Sequence, residues 1–361
     1  MARNYNIAFV IQDITTRGGT ERTTCCLANE FSAHGHTVSV ISIFNNMDKP
    51  TYTLDKNINV IFLCQEKYGL NFSLTVRLKK TMFAAHALKR CATLQDADII
   101  ISQKLLASLA VWRAGFGHKT FACEHFRYGM YNKPVRFLRN MLYNRMSTLV
   151  TLTENDMRRF KAAGVKRVCC IPNMVSVVPK KQEGQNSRRI ISVGRLDPQK
   201  GYDMLLDALQ LRKDKIADWK IDIYGEGNEL SNLITQRDRA GLSVAVSFRG
   251  YTPDIVHEYA HSAFYVMSSR FEGFPMVLLE AAACGLPIVS FRCPEGPETL
   301  LAKGGGILVE NGNIEKLAAA ILTMATDNKL REKYAEETQR IIQEYSPENI
   351  YSRWIDLIAS I

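Results

Sequence analysis

Short runs of consecutive apolar residues recur along the whole chain, and stretches of helical periodicity alternate with them, several after a polar or glycine-bearing loop. Asn6–Ile11 (NIAFVI), 37–44 (TVSVISIF), 60–63, 99–101 (III), 119–123 (KTFAC), 149–152 and 168–171 carry the pattern in the first half. Residues 190–193, 220–224, 246–248, 263–268 (AFYVMS), 288–291 and 307–309 carry it in the second. A strand that is apolar at nearly every position is buried on both faces, which is the habit of parallel sheets. Strands alternating with helices therefore predict an α/β chain with two parallel sheets, each covered by helices on both faces. The 361 residues suffice for two cores. A polar stretch without periodicity, 175–187 (VSVVPKKQEGQNS), sets the boundary between them. The expected domains are 1–174 and 188–345, with a last helix, 346–361, after a break at Pro347.

Three loops in this pattern carry chemistry. Residues 270–281 (RFEGFPMVLLEA) set Glu272 and Glu280 eight positions apart, with Gly273, Phe274 and Pro275 forming a turn after the first. A strand at 263–268 precedes them, and a helix is predicted over 275–284, with proline in its first turn and Gly285 ending it. Glu272 then stands on a loop after a strand, at the sheet edge where open α/β proteins bind ligands. The free N–H groups between Gly273 and Met276 favour an anion there. One glutamate at the mouth and one on the helix suit a single elongated, hydroxylated ligand. A second loop, 194–201 (GRLDPQKG), presents Gly194, Arg195 and Lys200 between a strand and a helix at 203–211. A guanidinium forks onto phosphate and an ammonium adds a point charge. The glycine spacing is wrong for a Walker loop. The third loop, 13–20, carries Gly18 and Gly19, where the backbone can approach a bound group closely. It lacks the dinucleotide glycine spacing and the acid about 20 residues on.

On these residues the chain resembles family 4 of the retaining glycosyltransferases. SRFEGFPMVLLEAAACGLPIVS (269–290) resembles the family's E-x7-E region, and GRLDPQKG and RGGTER (17–22) resemble two other landmarks. The resemblance implies the GT-B architecture: two Rossmann-like domains facing across a cleft, the first binding acceptor and the second nucleotide-sugar. It implies that the last helix crosses back to the first domain. It implies transfer of a hexose or N-acetylhexosamine from a UDP-sugar to a hydroxyl, with retention and without a metal or a separate cofactor. The acceptor would be a lipid-linked oligosaccharide, a lipopolysaccharide or a capsule or exopolysaccharide precursor. In that reading Arg195 and Lys200 hold the diphosphate, with Gly18 and Gly19 near it. Glu272 and the backbone of Gly273, Phe274, Pro275 and Met276 hold the donor sugar, and Glu280 the ribose. Gly225 and Gly227, after the strand at 220–224, lie near the nucleotide, and Arg249 and Tyr251 contact the base. His125, where the strand at 119–123 runs out, touches the transferred sugar or the acceptor; Glu124 beside it is a second candidate. The turn at 293–297 (CPEGP) resembles members that use UDP-sugars. GDP-mannose is the alternative donor. Two other classes stay open: a UDP-N-acetylglucosamine 2-epimerase, for which no convincing acid/base pair stands out, and a sugar-nucleotide binder without turnover.

The net charge of +10 is uneven, with 18 Lys/Arg against 5 Asp/Glu from 77 to 167. Residues 74–92 and 135–146 mix basic residues with Phe, Leu and Met at helical spacing. They are expected to lie on an anionic membrane surface, worth about 1 kcal/mol per basic residue; the alternative is a solvated helix face over an ordinary core. No nucleic-acid-reading module accompanies the charge. Asp96 and Asp98 form D-x-D but precede a strand instead of following one, so they read as its polar entry and no catalytic metal is expected. His34 and His36 flank Gly35 in what reads as an exposed turn. The nine cysteines show no C-x-x-C spacing, which fits reduced thiols and a cytoplasmic setting. The apolar run at 7–11 is too short for a signal peptide core or a membrane span. The expected place is the cytoplasm, peripheral on the inner face of the membrane.

Overall fold

The computed structural model describes residues 3–64, 74–177, 183–184, 186–293 and 295–360. Pro294 and part of the expected linker, 178–182 and 185, lie outside the described residues. The chain divides into two compact units, Met1–Met174 together with Pro347–Ile361, and Val175–Ser346.

The first unit holds strands β1 (Asn6–Ile11), β2 (Thr37–Ser42), β3 (Asn59–Phe62), β4 (Ile99–Gln103), β5 (Thr120–Glu124), β6 (Thr148–Thr151) and β7 (Val168–Cys170). They form one parallel sheet in the order β3-β2-β1-β4-β5-β6-β7. Alternate residues of the central strands feed two cores. Phe9, Ile11, Val40, Ile101 and Phe121 pack with Phe31 and Trp354 on one face. Ala8, Val10, Ile41 and Ile100 pack on the other with Ala107, Ala110 and Val111 of the helix Lys104–Arg113. Burial on both faces is the reason these strands are apolar at successive positions. Asp98 serves the sheet: its carboxylate accepts from the Asn6 N–H at 2.8 Å.

The helix Pro347–Ala359 packs within this unit. Pro347 is its first residue, because the first turn needs no N–H from that position. Trp354 lies edge-on to Phe31 and Phe121, at 6.4 and 6.2 Å between ring centroids. This helix also corrects the reading of His36, which is buried and not in an open turn. Its Nδ1 accepts from the Tyr5 N–H at 3.1 Å, so Nε2 carries the proton and donates to the Tyr351 hydroxyl at 2.9 Å. Burial, then the neighbouring His34, holds its pKa below the ordinary histidine value. Nothing near residue 36 in the sequence shows that residue 351 covers it.

The second unit holds β8 (Arg189–Val193), β9 (Lys220–Tyr224), β10 (Val246–Gly250), β11 (Phe264–Met267), β12 (Ile288–Phe291) and β13 (Gly306–Val309). They form a parallel sheet in the order β10-β9-β8-β11-β12-β13. Ile190, Ile221, Ile223, Phe264, Val266 and Val289 supply its core. The chain is thus α/β with two Rossmann-like parallel sheets. Each sheet reverses its strand order once, between β1 and β4 and between β8 and β11. Connections leaving the carboxyl ends of those neighbours diverge to opposite faces and open a crevice, the usual ligand site of such sheets. Among the described residues no helix is long and apolar enough to cross a membrane.

Candidate active site

The reversal between β8 and β11 brings two of the sequence loops together. Ser268 Oγ donates to the Lys200 carbonyl at 3.1 Å, and the Arg270 N–H donates to the Gln199 carbonyl at 2.8 Å. Gln199 Nε2 donates to the Phe271 carbonyl at 3.0 Å. The Arg270 guanidinium grips Asp203 with both Nη atoms, at 2.8 and 2.5 Å. Gly201 has φ +64°, and a Cβ there would stand 2.1 Å from the Ser268 carbonyl oxygen, so only glycine fits this seam.

At the centre, Lys200 Nζ donates to Glu272 Oε1 at 2.7 Å. Both side chains are largely buried, 15% and 7% exposed. Lys200 is therefore not a lone cation; it carries Glu272 and has two further N–H donors. The start of the helix Gly296–Leu300 lies against the same place. A Cβ on Gly296 would meet Pro275 Cδ at 2.2 Å and the Gly273 carbonyl oxygen at 2.7 Å. The Cys293 thiol, pushed up to about 12 by burial and then by Glu272, lies within reach of this charge.

Arg195 points outward, 68% exposed, with Nη2 on Asp197 at 2.9 Å. Its other guanidinium donors are open to an anion. Gly194 lies against Lys200, whose Cε would be 3.2 Å from an added Cβ. Gly225 has φ +137°, and a Cβ there would come within 1.9 Å of the Gly194 carbonyl oxygen; at Gly227 the clash is with the Leu196 carbonyl oxygen at 2.2 Å. These glycines let the loop after β9 lie directly on the backbone of the arginine–lysine loop.

The helix carrying Glu280 is Met276–Ala283, with Pro275 as its N-cap in an extended conformation, one residue outside the expected start. Glu280 is buried; Ser176 Oγ donates to its Oε1 at 3.2 Å and Tyr259 OH to its Oε2 at 3.4 Å. Arg249 lies within β10, which runs two residues beyond the expected 246–248, and is tethered by Nε to Asp222 Oδ1 at 2.6 Å. Asp222 is buried and shared with Arg189. Tyr251 is exposed just beyond the strand. Ser176, Tyr259 and Asp222 lie outside every recognisable motif, so only their contacts reveal them.

In the first unit the helix after β1 starts at Gly19, with Gly18 as N-cap. A Cβ on Gly18 would stand 2.3 Å from Glu21 Oε2, so glycine here makes room for a carboxylate from the next turn. His125 Nε2 lies 2.5 Å from Gln103 Oε1. Burial, then Lys104, lowers the His125 pKa to about 3, so the ring is neutral near pH 7. Glu124 is no site residue on this geometry. It is buried and accepts from Tyr143 OH at 2.8 Å and the Phe126 N–H at 3.2 Å, with Arg139 at 3.5 Å.

Two family models cover most of the chain: Glycosyltransferase Family 4 matches residues 17–178, and Glycosyl transferases group 1 matches residues 177–341. An uncharacterized glycosyltransferase of Haemophilus influenzae is 30% identical over 359 residues, spanning 96% of this chain and 98% of its own length. The amylovoran biosynthesis glycosyltransferase of Erwinia amylovora is 26% identical, over 98% and 99%. Among solved structures, S. aureus TarM in complex with fondaparinux, alpha-GlcNAc-glycerol and UDP superposes with a TM-score of 0.80 at 15% identity, over 97% of this chain and 99% of that one. This likeness places the fold among GT-B structures.

Proposed function

We propose, for a chain that belongs to the GT-B glycosyltransferases, a retaining transfer of a hexose or N-acetylhexosamine from a UDP-sugar to a hydroxyl of a saccharide acceptor. The observation that carries this reading is the Lys200–Glu272 pair at the switch point of the second sheet, with Arg195 open beside it. A departing nucleoside diphosphate needs cations, and a sugar needs a fixed hydrogen-bond acceptor. Lys200 can keep Glu272 with one N–H and offer the others to a phosphate oxygen. The bond from the sugar's anomeric carbon to the diphosphate oxygen breaks, and the bond to the acceptor oxygen forms on the same face. The acceptor's proton passes to the departing phosphate. Arg195 and Lys200 stabilise the charge that develops there, so the chemistry requires no metal. Glu272 orients the sugar hydroxyls, and Glu280 accepts from the ribose hydroxyls.

The Erwinia relative acts in amylovoran biosynthesis, and TarM was crystallised with UDP. The first supports an acceptor of the bacterial polysaccharide type, and the second is in keeping with a UDP-sugar donor. Calorimetry with UDP, GDP, ADP and their sugar conjugates in EDTA tests this. Binding of UDP and a UDP-sugar is expected. Binding of GDP alone moves the donor to GDP-mannose, and binding of no nucleotide overturns the reading.

The surface of the first unit supports a place on the inner face of the cytoplasmic membrane. The helix Lys133–Tyr143 exposes Phe137, Leu138 and Met141 beside Lys133, and the helix Leu74–Arg90 exposes Met82 and Phe83 beside Lys79, Lys89 and Arg90. Arg139, counted among the surface cations from its sequence, is fully buried instead. Sedimentation with phosphatidylglycerol vesicles is expected to exceed that with phosphatidylcholine and to weaken as salt shortens the Debye length. Phe137→Ser with Leu138→Ser is expected to reduce it further. Indifference to lipid charge and salt removes the membrane from the proposal.

A further inference from the structure

At the switch point of the first sheet, side chains from three connections meet. Glu21 comes from the helix after β1, Gln103 ends β4 and is followed by Lys104, and His125 with Phe126 follows β5. Lys104 Nζ pairs with Glu21 Oε1 at 3.4 Å and stands 5.7 Å from the centroid of the Phe126 ring. Lys104 has φ +66°, a left-handed conformation that is strained for a residue with a side chain. Such strain persists only where the surroundings hold it, and it concentrates at functional sites. Gln103, just before it, is 2% exposed and set against His125.

We propose that Gln103 is a positioning residue for His125: its side-chain carbonyl binds the Nε2–H, fixes that tautomer and leaves Nδ1 to accept a hydrogen bond from a substrate hydroxyl. A carbonyl oxygen can only accept, so the proton between Gln103 Oε1 and His125 Nε2 belongs to the imidazole. A neutral ring protonated at Nε2 presents a lone pair at Nδ1. The surrounding charges agree with a neutral ring. Lys104 opposes a second proton and is itself held by Glu21, while the Glu124 carboxylate is occupied by Tyr143, Arg139 and the Phe126 N–H. A neutral acceptor suits a sugar hydroxyl and gives no advantage to a carboxylate or phosphate. The assignment rests on the saccharide-transfer reading above only for the identity of that hydroxyl.

Imidazole nitrogen NMR on the full chain tests it, with His125→Asn identifying the signal. The expected spectrum shows the Nε2–H tautomer with no titration from pH 5 to 8. Gln103→Leu, close in volume, is expected to mix the tautomers. It is also expected to lower UDP release from the best of UDP-glucose, UDP-galactose and UDP-N-acetylglucosamine by about 10-fold or more, with UDP affinity unchanged. Gln103→Glu, which places a carboxylate against the ring, is expected to recover turnover at high pH and add an acid limb near neutrality. An Nδ1–H tautomer in the parent protein overturns the proposal, and so does a Gln103→Leu variant with parental tautomer and turnover. UDP affinity reports on the second unit, so its absence condemns the donor reading while the tautomer still judges Gln103.

Discussion

Replacing Lys200 with alanine is expected to lower turnover by about 100-fold or more, the scale of removing one preorganised donor from a developing oxyanion. The same change is expected to destabilise the second unit, because Glu272 is left buried without its cation. Breaking a buried pair costs about 3–5 kcal/mol, and the 15% exposure of Lys200 sets the expectation at the lower end. The two effects separate with a second variant. Glu272→Gln combined with Lys200→Met removes the uncompensated charge, so stability should return while turnover stays low. Urea unfolding reads the first effect and UDP release reads the second. Near-parental turnover in the alanine variant sinks the assignment of Lys200 to the leaving diphosphate. Parental stability there means that Glu272 takes up a proton or finds water once its partner is gone.

That pair also shows where the sequence is legible and where it stops. Lys200 and Glu272 each stand in a recognisable loop, and strand periodicity puts both loops at the carboxyl edge of a parallel sheet. Nothing local shows that they touch, since they are 72 positions apart. Their contact follows from β8 and β11 being neighbours, which is a property of strand order. Strand identity was readable because burial on both faces leaves a continuous apolar run. The helix Lys104–Arg113 is hard to read from the sequence because it starts at the residue directly after β4, without a loop to announce it. Gln103 and Asp222 are invisible for a related reason. A buried polar residue inside a strand belongs to no motif, and its role is defined entirely by a partner on another strand. Glycine was easier to detect than to interpret. Gly225 and Gly227 were expected to sit near the nucleotide, and what the fold demands of them is a backbone-on-backbone seam with Gly194 and Leu196.

Arg139→Met is expected to destabilise the first unit by about 3–5 kcal/mol at pH 7, because it strips the cation from a buried carboxylate. Arg139 is 0% exposed and lies over the rings of Phe160, Tyr128 and Tyr131, at 4.5, 5.1 and 5.3 Å. Its Nη2 donates to the Tyr128 carbonyl at 3.0 Å, and its Nη1 faces Glu124. Burial raises the Glu124 pKa above its ordinary value near 4.5, and Arg139 opposes that rise. Between the ordinary and the raised value the folded chain holds a proton that the unfolded chain releases, so stability falls as pH climbs through this window. Loss of Arg139 lifts the upper end of the window. The variant's deficit should therefore be larger at pH 8 than at pH 5, and Glu124→Gln in the same chain should restore most of it. Arg139 and Tyr143 project from the inner face of the helix Lys133–Tyr143, whose outer face bears Phe137, Leu138 and Met141. Loosening this clamp should weaken vesicle binding and disturb His125, which directly follows Glu124. A deficit of the same size at both pH values would show that Glu124 is protonated in the parent protein and that Arg139 holds the helix through its aromatic contacts alone.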